Sequence, residues 1–178
     1  MHELRKDPLL NRWVAVMSDS KAPEEYHLPD DIKESGCKLC SGRESETPSE
    51  IAAIRGNGSK PNEPGWQVRV IPSSNPILQI EGDLGRKGIG MYDKMNSIGA
   101  NEIFIETPEH NKRPEDMGFE QVVKVVTLYK ERTADLERDS RMRYILIYKN
   151  SGKEAGAVYS HPHSQIIATP IIPKRVKE

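Results

Sequence analysis

The chain has 178 residues, with 26 lysine and arginine side chains against 27 aspartate and glutamate side chains and a formal net charge of −1. The charges are interspersed rather than gathered into a basic field, which argues against a nucleic-acid partner and against a membrane surface. The length is sufficient for one substantial hydrophobic core, so we predict a single domain over residues 1–178. No apolar run could span a bilayer and no secretory signal is visible, so we expect a cytoplasmic protein.

Apolar segments between turn residues predict the strands of a sheet. A polar region punctuated by proline and glycine predicts a long loop over residues 18–47. The glycine-rich stretch from Gly82 to Gly90 is predicted to be mobile. The predicted strands are residues 12–17, 66–71, 76–80, 101–106, 143–149 and 164–169.

One long helix is predicted from about Gly118 to Arg138, because apolar residues recur there at helical spacing. We interpret this apolar stripe as part of the core. The order of strands and helix predicts an α+β fold, with a mainly antiparallel sheet packed against the helix. The stripe begins with Val122, Val123 and Val126 and continues through Tyr129, Thr133 and Leu136.

The only two cysteines stand together as Cys37-Lys38-Leu39-Cys40. A structural disulfide is not expected in the cytoplasm, which leaves a redox pair, two incidental thiols or half of a zinc site. Redox pairs of this spacing usually follow a strand and open a helix, whereas Cys37 and Cys40 lie in a polar, turn-like segment. This setting favours a metal knuckle, which would need about two further ligands.

Histidines offer the remaining ligands. His161 and His163 stand two residues apart and Gln165 follows at the same interval, so in a strand the three side chains would share one face. His110 follows the predicted strand 101–106 and is a second candidate ligand. The ligand chemistry alone leaves open whether His161 and His163 complete the site or whether His110 takes part.

A loop rich in small residues precedes this histidine pair. It contains Asn150, Ser151, Gly152 and Gly156. Small residues allow backbone N–H groups to approach an anion closely. The position of the loop, directly before the paired histidines, predicts a phosphate-binding site.

Four stretches of the sequence resemble the galactose-1-phosphate uridylyltransferases, a branch of the histidine-triad superfamily. They are HPHSQ after KNSGKEAG, CKLC, ETPEH, and the opening ELRKDPLLNRWV. The resemblance runs over nearly all of the chain. It implies a histidine-triad-like fold, a mainly antiparallel sheet against one long helix, with a loop-borne zinc site.

The resemblance also implies a role for each matched residue. His163 would be the nucleophile and Gln165 its phosphate-contacting partner. The turn Ser73-Ser74-Asn75 occupies the position of the base-binding turn, and uridine is the expected base. A structural Zn²⁺ would be bound by Cys37, Cys40, His110 and His161. The nucleotide phosphates would be held by Asn150, Ser151 and Gly152, with the backbone amides of Gly156, Ala157 and Val158.

The activity that the resemblance implies is transfer of a uridylyl group between a UDP-sugar and a hexose 1-phosphate, through a covalent nucleotidyl-histidine, in galactose metabolism. An ADP-sugar phosphorylase or adenylyltransferase of the same branch is the enzymatic alternative. Typical members carry a second, similar half and form a dimeric site. A homodimer is therefore one expected assembly, and a zinc- and nucleotide-binding module without full activity is a further alternative.

Overall fold

The computed structural model describes residues 2–17, 36–56 and 58–178, which form two antiparallel sheets and a long helix. The larger sheet has the strand order β3-β4-β7-β9-β8, and the smaller has the order β2-β1-β6-β5. The strands of the larger sheet are β3 (Ala52–Arg55), β4 (Trp66–Pro72), β7 (Ala100–Ile105), β8 (Tyr144–Tyr148) and β9 (His163–Thr169). Those of the smaller are β1 (Glu3–Lys6), β2 (Trp13–Val16), β5 (Lys87–Ile89) and β6 (Tyr92–Asn96).

The helix α1 (Phe119–Leu136) covers one face of the larger sheet. Alternate residues of the central strands point toward it, since successive side chains of a strand project to opposite faces. Phe104 and Tyr129 meet edge to face with ring centroids 4.8 Å apart. The antiparallel sheet against one long helix confirms the predicted α+β architecture. The core on this face includes Val68, Val70, Phe104, Val125, Leu128, Leu136, Ile166 and Ala168.

The predicted limits of α1 are confirmed to within two residues, but the apolar stripe predicted to face the core is wrong at its start. Val122 and Val126 are 41% and 54% exposed, whereas Leu128 is 1% exposed. The buried face of α1 also carries Gln121 and Arg132, which bond to backbone carbonyls and to a carboxylate of the sheet. Because the buried face carries these two polar side chains and the exposed face carries valines, the apolar pattern in the sequence pointed to the wrong face at the start of the helix.

The predicted strand 76–80 is wrong. This segment makes only an isolated bridge, between Gln79 and Ile98. Pro76 has no N–H to donate, and the carbonyl of Ile77 accepts a hydrogen bond from the Ser97 hydroxyl instead of from a strand. The segment is therefore held by side-chain and single backbone bonds beside β6.

The glycine-rich stretch 82–90 also differs from the prediction, because its end is part of a hairpin. β5 and β6 pair through Ile89 and Tyr92 and are joined by the two residues Gly90 and Met91. Gly90 has a φ of +61°, which is typical of the tightest hairpin turns. Strands β1, β3, β5 and β6 were not predicted.

Residues 18–35 of the predicted loop 18–47 lie outside the described residues. The described part of that loop, residues 36–47, contains one 3₁₀ turn, Glu44–Glu46. The short helix α2 (Lys174–Lys177) follows β9. Within the described ranges, no helix has the length and apolar character needed to cross a membrane.

Candidate functional site

Four metal-ligating side chains come together on the sheet face opposite α1. The ligating atoms of Cys37, Cys40, His110 and His161 all lie within 4.8 Å of one another, and the four residues are buried. The Cys40 Sγ is 3.3 Å from the His110 Nδ1 and 3.5 Å from the His161 Nδ1. In a tetrahedral zinc site, ordinary Zn–S and Zn–N bond lengths place sulfur and nitrogen roughly 3.5 Å apart. The cluster therefore has the size and donor set of a metal site.

Three separate segments supply these ligands. The cysteines sit in a turn closed by the Cys40 N–H, which donates to the Cys37 carbonyl at 3.2 Å. Leu39, between them, is buried in one apolar cluster with Ile103 and Ile105 of β7. His110 follows β7 and His161 precedes β9, and these two strands are neighbours in the sheet. Pairing of β7 with β9 therefore brings both histidines to the cysteine turn.

The hydrogen bond of His161 determines which of its ring nitrogens faces the thiols. Its Nε2–H donates to the Thr107 carbonyl at 2.7 Å, which leaves the Nδ1 lone pair directed toward Cys37 and Cys40. Burial lowers the pKa of His161 to about 4, so the ring is neutral at physiological pH, as a metal ligand must be. A histidine that binds a metal through one ring nitrogen commonly donates the N–H of its other ring nitrogen to a backbone carbonyl.

His163 presents the opposite nitrogen. Its Nδ1–H donates to the His161 carbonyl at 2.8 Å, and its Nε2 is buried with no hydrogen-bond partner among the described residues. Burial lowers the pKa of His163, which favours the neutral ring with a lone pair on Nε2. The Tyr159 ring packs edge-on against the imidazole at a centroid distance of 5.4 Å. His163 is therefore a neutral imidazole with one nitrogen available for chemistry.

A cleft of about 190 Å³ contains this histidine. Asn150, Ser151 and Gly152 form part of its wall, together with Lys149 and Tyr159. The cleft thus joins the paired histidines to the loop that the sequence analysis predicted to bind phosphate.

The rest of that loop folds back on itself. The N–H groups of Gly156 and Ala157 donate to the carbonyls of Lys153 and Gly152, at 2.9 and 3.1 Å. Gly152 and Gly156 have φ values of +80° and +72°, a backbone region that favours glycine, and open space surrounds the position of a Cβ at both. The need for glycine there is conformational. Val158 follows directly, before the segment that leads to His161.

Gln165 lies two residues after His163 on β9, on the same face of the sheet. The Tyr148 hydroxyl donates to its Oε1 at 2.7 Å, which orients the side-chain amide. His161 itself precedes the strand rather than belonging to it. We predicted that His161, His163 and Gln165 would share one face of a strand. His163 and Gln165 do lie on β9, but His161 lies in the loop before it.

The turn Ser73-Ser74-Asn75 lies at the far end of the sheet from His163. The Ser73 N–H donates to the Asn101 carbonyl at 2.9 Å, and Asn101 is opposite Ile167 on β9. Ile167 is four residues from His163, which is roughly 13 Å along a strand. This turn is therefore not among the residues that line the cleft around His163.

The sequence analysis missed two cleft residues that contact His163, Lys149 and Tyr159. The Lys149 Nζ donates to the His163 carbonyl at 3.0 Å and pairs with Glu106 at 2.6 Å. Adjacency to Asn150 was the one signal for Lys149 in the sequence. Its acidic partner is 43 residues away, so the pair could not be found without the fold.

Comparisons with known proteins identify the family of this chain. A family model described as "Galactose-1-phosphate uridyl transferase, N-terminal domain" matches residues 73–173, which include Lys149, His163 and Gln165. The chain is 31% identical to the ADP-glucose phosphorylase of Arabidopsis thaliana over 98% of its own length and 50% of that protein. It is 30% identical to the galactose-1-phosphate uridylyltransferase of Thermotoga maritima, over 99% of its own length and 49% of that protein.

A solved structure shows the same fold. The ADP-glucose phosphorylase of Arabidopsis thaliana with bound ADP-glucose superimposes with a TM-score of 0.67 at 31% identity, covering 99% of this chain and 51% of that one. The chain thus spans about half the length of the relatives that it matches. These relatives are nucleotidyltransferases or phosphorylases, so the family is one of nucleotidyl-transfer enzymes. By fold, motif and similarity, the chain belongs to the galactose-1-phosphate uridylyltransferase family.

Proposed function

We propose that this chain contains the nucleotidyl-transferring half of a UDP-glucose–hexose-1-phosphate uridylyltransferase. One observation carries the proposal: His163 lines the cleft beside residues 149–152, its Nδ1–H is bonded to the His161 carbonyl, and its buried Nε2 has no hydrogen-bond partner among the described residues. Burial also lowers the pKa of His163, which favours the neutral ring. Such an imidazole is a good nucleophile at neutral pH and a good leaving group once it carries a phosphoryl substituent.

The transfer takes place in two steps. The His163 Nε2 attacks the α-phosphorus of the nucleotide sugar, so an N–P bond forms and the P–O bond to the departing sugar 1-phosphate breaks. An oxygen of an incoming hexose 1-phosphate then attacks the same phosphorus, the N–P bond breaks, and the imidazole returns to its starting state. Throughout, the Nδ1–H keeps its bond to the His161 carbonyl, which stabilises the positive charge that the ring gains on nucleotidylation.

Gln165 and the loop residues bind the phosphates in this proposal. The Gln165 amide, oriented by Tyr148, offers N–H groups to a phosphoryl oxygen. An amide cannot serve as a general acid, which suits transfer between phosphorylated partners better than hydrolysis. Asn150, Ser151 and Gly152 line the same cleft as His163, which supports a role in binding the remaining phosphate oxygens.

Zinc is the metal that the donor set favours, since two thiolates and two neutral imidazoles are typical of closed structural zinc sites. When bound by Cys37, Cys40, His110 and His161, the ion would tie the cysteine turn to the segment before β9. Its contribution to the reaction would be the rigidity of the backbone next to His163.

A second candidate function is transfer of an adenylyl group. The match to an ADP-glucose phosphorylase supports it, because the identity of 31% is as high as the 30% identity to a uridylyltransferase. In this case inorganic phosphate, rather than a hexose 1-phosphate, would accept the nucleotidyl group. The first half-reaction at His163 is the same in both proposals.

Intact-mass spectrometry of the zinc-loaded chain tests the proposal. After incubation with UDP-glucose at neutral to alkaline pH, where phosphoramidates survive, the mass should increase by one uridylyl group and free glucose 1-phosphate should appear. His163→Ala is the control and should give no adduct. An adduct with ADP-glucose alone would move the assignment to the adenylyl branch. No adduct with either sugar would contradict the proposal and favour a module that binds zinc and nucleotide without transfer.

A further inference from the structure

A buried carboxylate lies directly beneath the nucleophile strand and has no place in the chemistry described so far. Glu106 follows β7 on the side of the sheet that faces α1, and it is almost completely buried. A buried carboxylate is costly unless it is paired and hydrogen-bonded. Here Lys149 pairs with its Oε2 at 2.6 Å, and the Tyr129 hydroxyl donates to its Oε1 at 3.1 Å.

Both partners of Glu106 also contact β9. The Lys149 Nζ donates to the His163 carbonyl at 3.0 Å. The Tyr129 and Ser164 hydroxyl oxygens are 2.6 Å apart, and since the Tyr129 proton goes to Glu106, the Ser164 hydroxyl is the donor. Two consecutive residues of the strand, His163 and Ser164, are therefore tied to a single carboxylate.

The bond from Lys149 replaces a missing strand contact. The ladder between β8 and β9 ends at the pair Tyr148 and Gln165, so His163 extends beyond the last residue of β8. Its other neighbour, β7, still pairs with it through Ile105. On the β8 side, the Lys149 ammonium takes the position of a strand and bonds to the His163 carbonyl, at the point where the backbone must hold the nucleophile still.

The ring direction of His163 depends on this backbone. Its Nδ1–H is bonded to the His161 carbonyl, within the same short segment, so a rotation of these peptides would turn Nε2 away from the cleft. One end of the segment is held at His161, which is packed among Cys37, Cys40 and His110 and bonded to the Thr107 carbonyl. We propose that Lys149, clamped by Glu106, is a positioning residue that holds the other end and fixes the direction of the His163 Nε2; this inference rests on the proposed function.

A substitution of Lys149 tests the inference, with a matched control elsewhere. Lys149→Met keeps an unbranched side chain that is one atom shorter and removes the ammonium. Lys94→Met is the control, because Lys94 forms a pair of similar length, 2.7 Å to Glu3, and its side chain is 32% exposed against 29% for Lys149. Lys94 lies on β6 of the other sheet and does not contact His163. Both variants are incubated with UDP-glucose and, separately, with ADP-glucose.

The maximal rate of covalent labelling should fall about 10- to 100-fold in Lys149→Met, since displacement of a reacting group by 1 Å has effects of this size. The nucleotide-sugar concentration that gives half the maximal rate should stay close to that of the unaltered chain. Lys94→Met should label at the unaltered rate. Unchanged labelling in Lys149→Met, an effect on the half-saturating concentration alone, or an equal loss in Lys94→Met would each overturn the inference.

A second readout does not depend on transfer. The ¹⁵N resonances of the His163 ring should show a single Nδ1–H tautomer in the unaltered chain and in Lys94→Met, and this signature should be lost in Lys149→Met. If the unaltered chain gives no adduct, the proposed function fails, and the ring signals alone decide the positioning role: unchanged signals in Lys149→Met would refute it. Should Lys149→Met not fold, the double variant with Glu106→Gln removes the unpaired carboxylate and is measured in its place.

Discussion

Two histidines only two residues apart present different nitrogens to their surroundings, and backbone carbonyls cause the difference. His161 donates from Nε2 to Thr107 and so turns Nδ1 toward the cysteines. His163 donates from Nδ1 to His161 and so leaves Nε2 for the cleft. A carbonyl can only accept, so each bond specifies the protonated nitrogen of the neutral ring. We infer that the two side chains have separate tasks.

Substitution of each histidine should separate these tasks. His163→Ala should abolish covalent labelling and keep the metal, because His163 supplies none of the four ligating atoms. His161→Ala should lose the metal, since it removes one of four ligands. Elemental analysis of the zinc-loaded, dialysed variants gives the metal content per chain. Loss of metal from His163→Ala would make His163 a ligand and would refute the assignment.

At the scale of elements, the helix α1 is attached to the sheet by polar as well as apolar contacts. The Arg132 guanidinium forms two bonds to the Glu102 carboxylate of β7, at 2.7 and 2.9 Å. Both side chains are largely buried, and the interaction raises the pKa of Arg132 above its usual range. The pair lies among the apolar contacts of the core and specifies which face of α1 meets the sheet.

Arg132→Met should therefore destabilise the chain strongly, because it leaves the Glu102 carboxylate buried and unpaired. We expect the free energy of unfolding to fall by about 3–5 kcal/mol, the range for breaking a buried ion pair. Arg138→Met, two residues after the end of the same helix and with a side chain that is 81% exposed, should change the free energy of unfolding by less than about 0.5 kcal/mol. Urea denaturation followed by circular dichroism measures both. Equal effects of the two substitutions would contradict the role given to the pair.

At the scale of the whole molecule, the cluster of Cys37, Cys40, His110 and His161 brings together segments that are far apart in the chain. The cysteine turn, the loop after β7 and the loop before β9 meet at this cluster, which adjoins an apolar core around Leu39, Trp66, Ile103 and Ile105. Binding of a metal to the folded chain stabilises it by mass action. The thermal stability of the chain should therefore depend on whether a metal is bound.

Removal of the metal should lower the thermal unfolding midpoint. A free metal concentration about 1,000 times the dissociation constant contributes about 4 kcal/mol, which a chelator would remove. Cys37→Ser should unfold near the midpoint of the chelated chain and should no longer respond to the chelator. Ser41→Ala, in the turn that follows Cys40, should keep the full response. A midpoint that chelation leaves unchanged in the unaltered chain would argue against a structural metal.

Local patterns were sufficient for several elements. The helix was predictable because apolar residues recur at helical spacing through its eighteen residues. Strands β8 and β9 were predictable because each is a short apolar run between turn residues. β1 and β6 were not, since their strands carry charged residues that pair across the smaller sheet, such as Lys94 with Glu3. The inner face of α1 was misjudged for the same reason: Arg132 is polar and buried, and its partner lies on another element.

The sequence by itself determined the chemical types at the site: a Cys-x-x-Cys turn, a His-x-His-x-Gln segment and a small-residue loop, each of which lies within a few neighbouring residues. Spacing left open which histidines join the cysteines, and the family resemblance implied His110 and His161. Only the tertiary structure shows these two histidines beside the thiols and the Nε2 of His163 without a partner among the described residues. Those outcomes follow from the register of β7 against β9 and from bonds to Thr107, His161 and Glu106. They depend on contacts between residues tens of positions apart, which form when the sheet assembles and which no local spacing specifies.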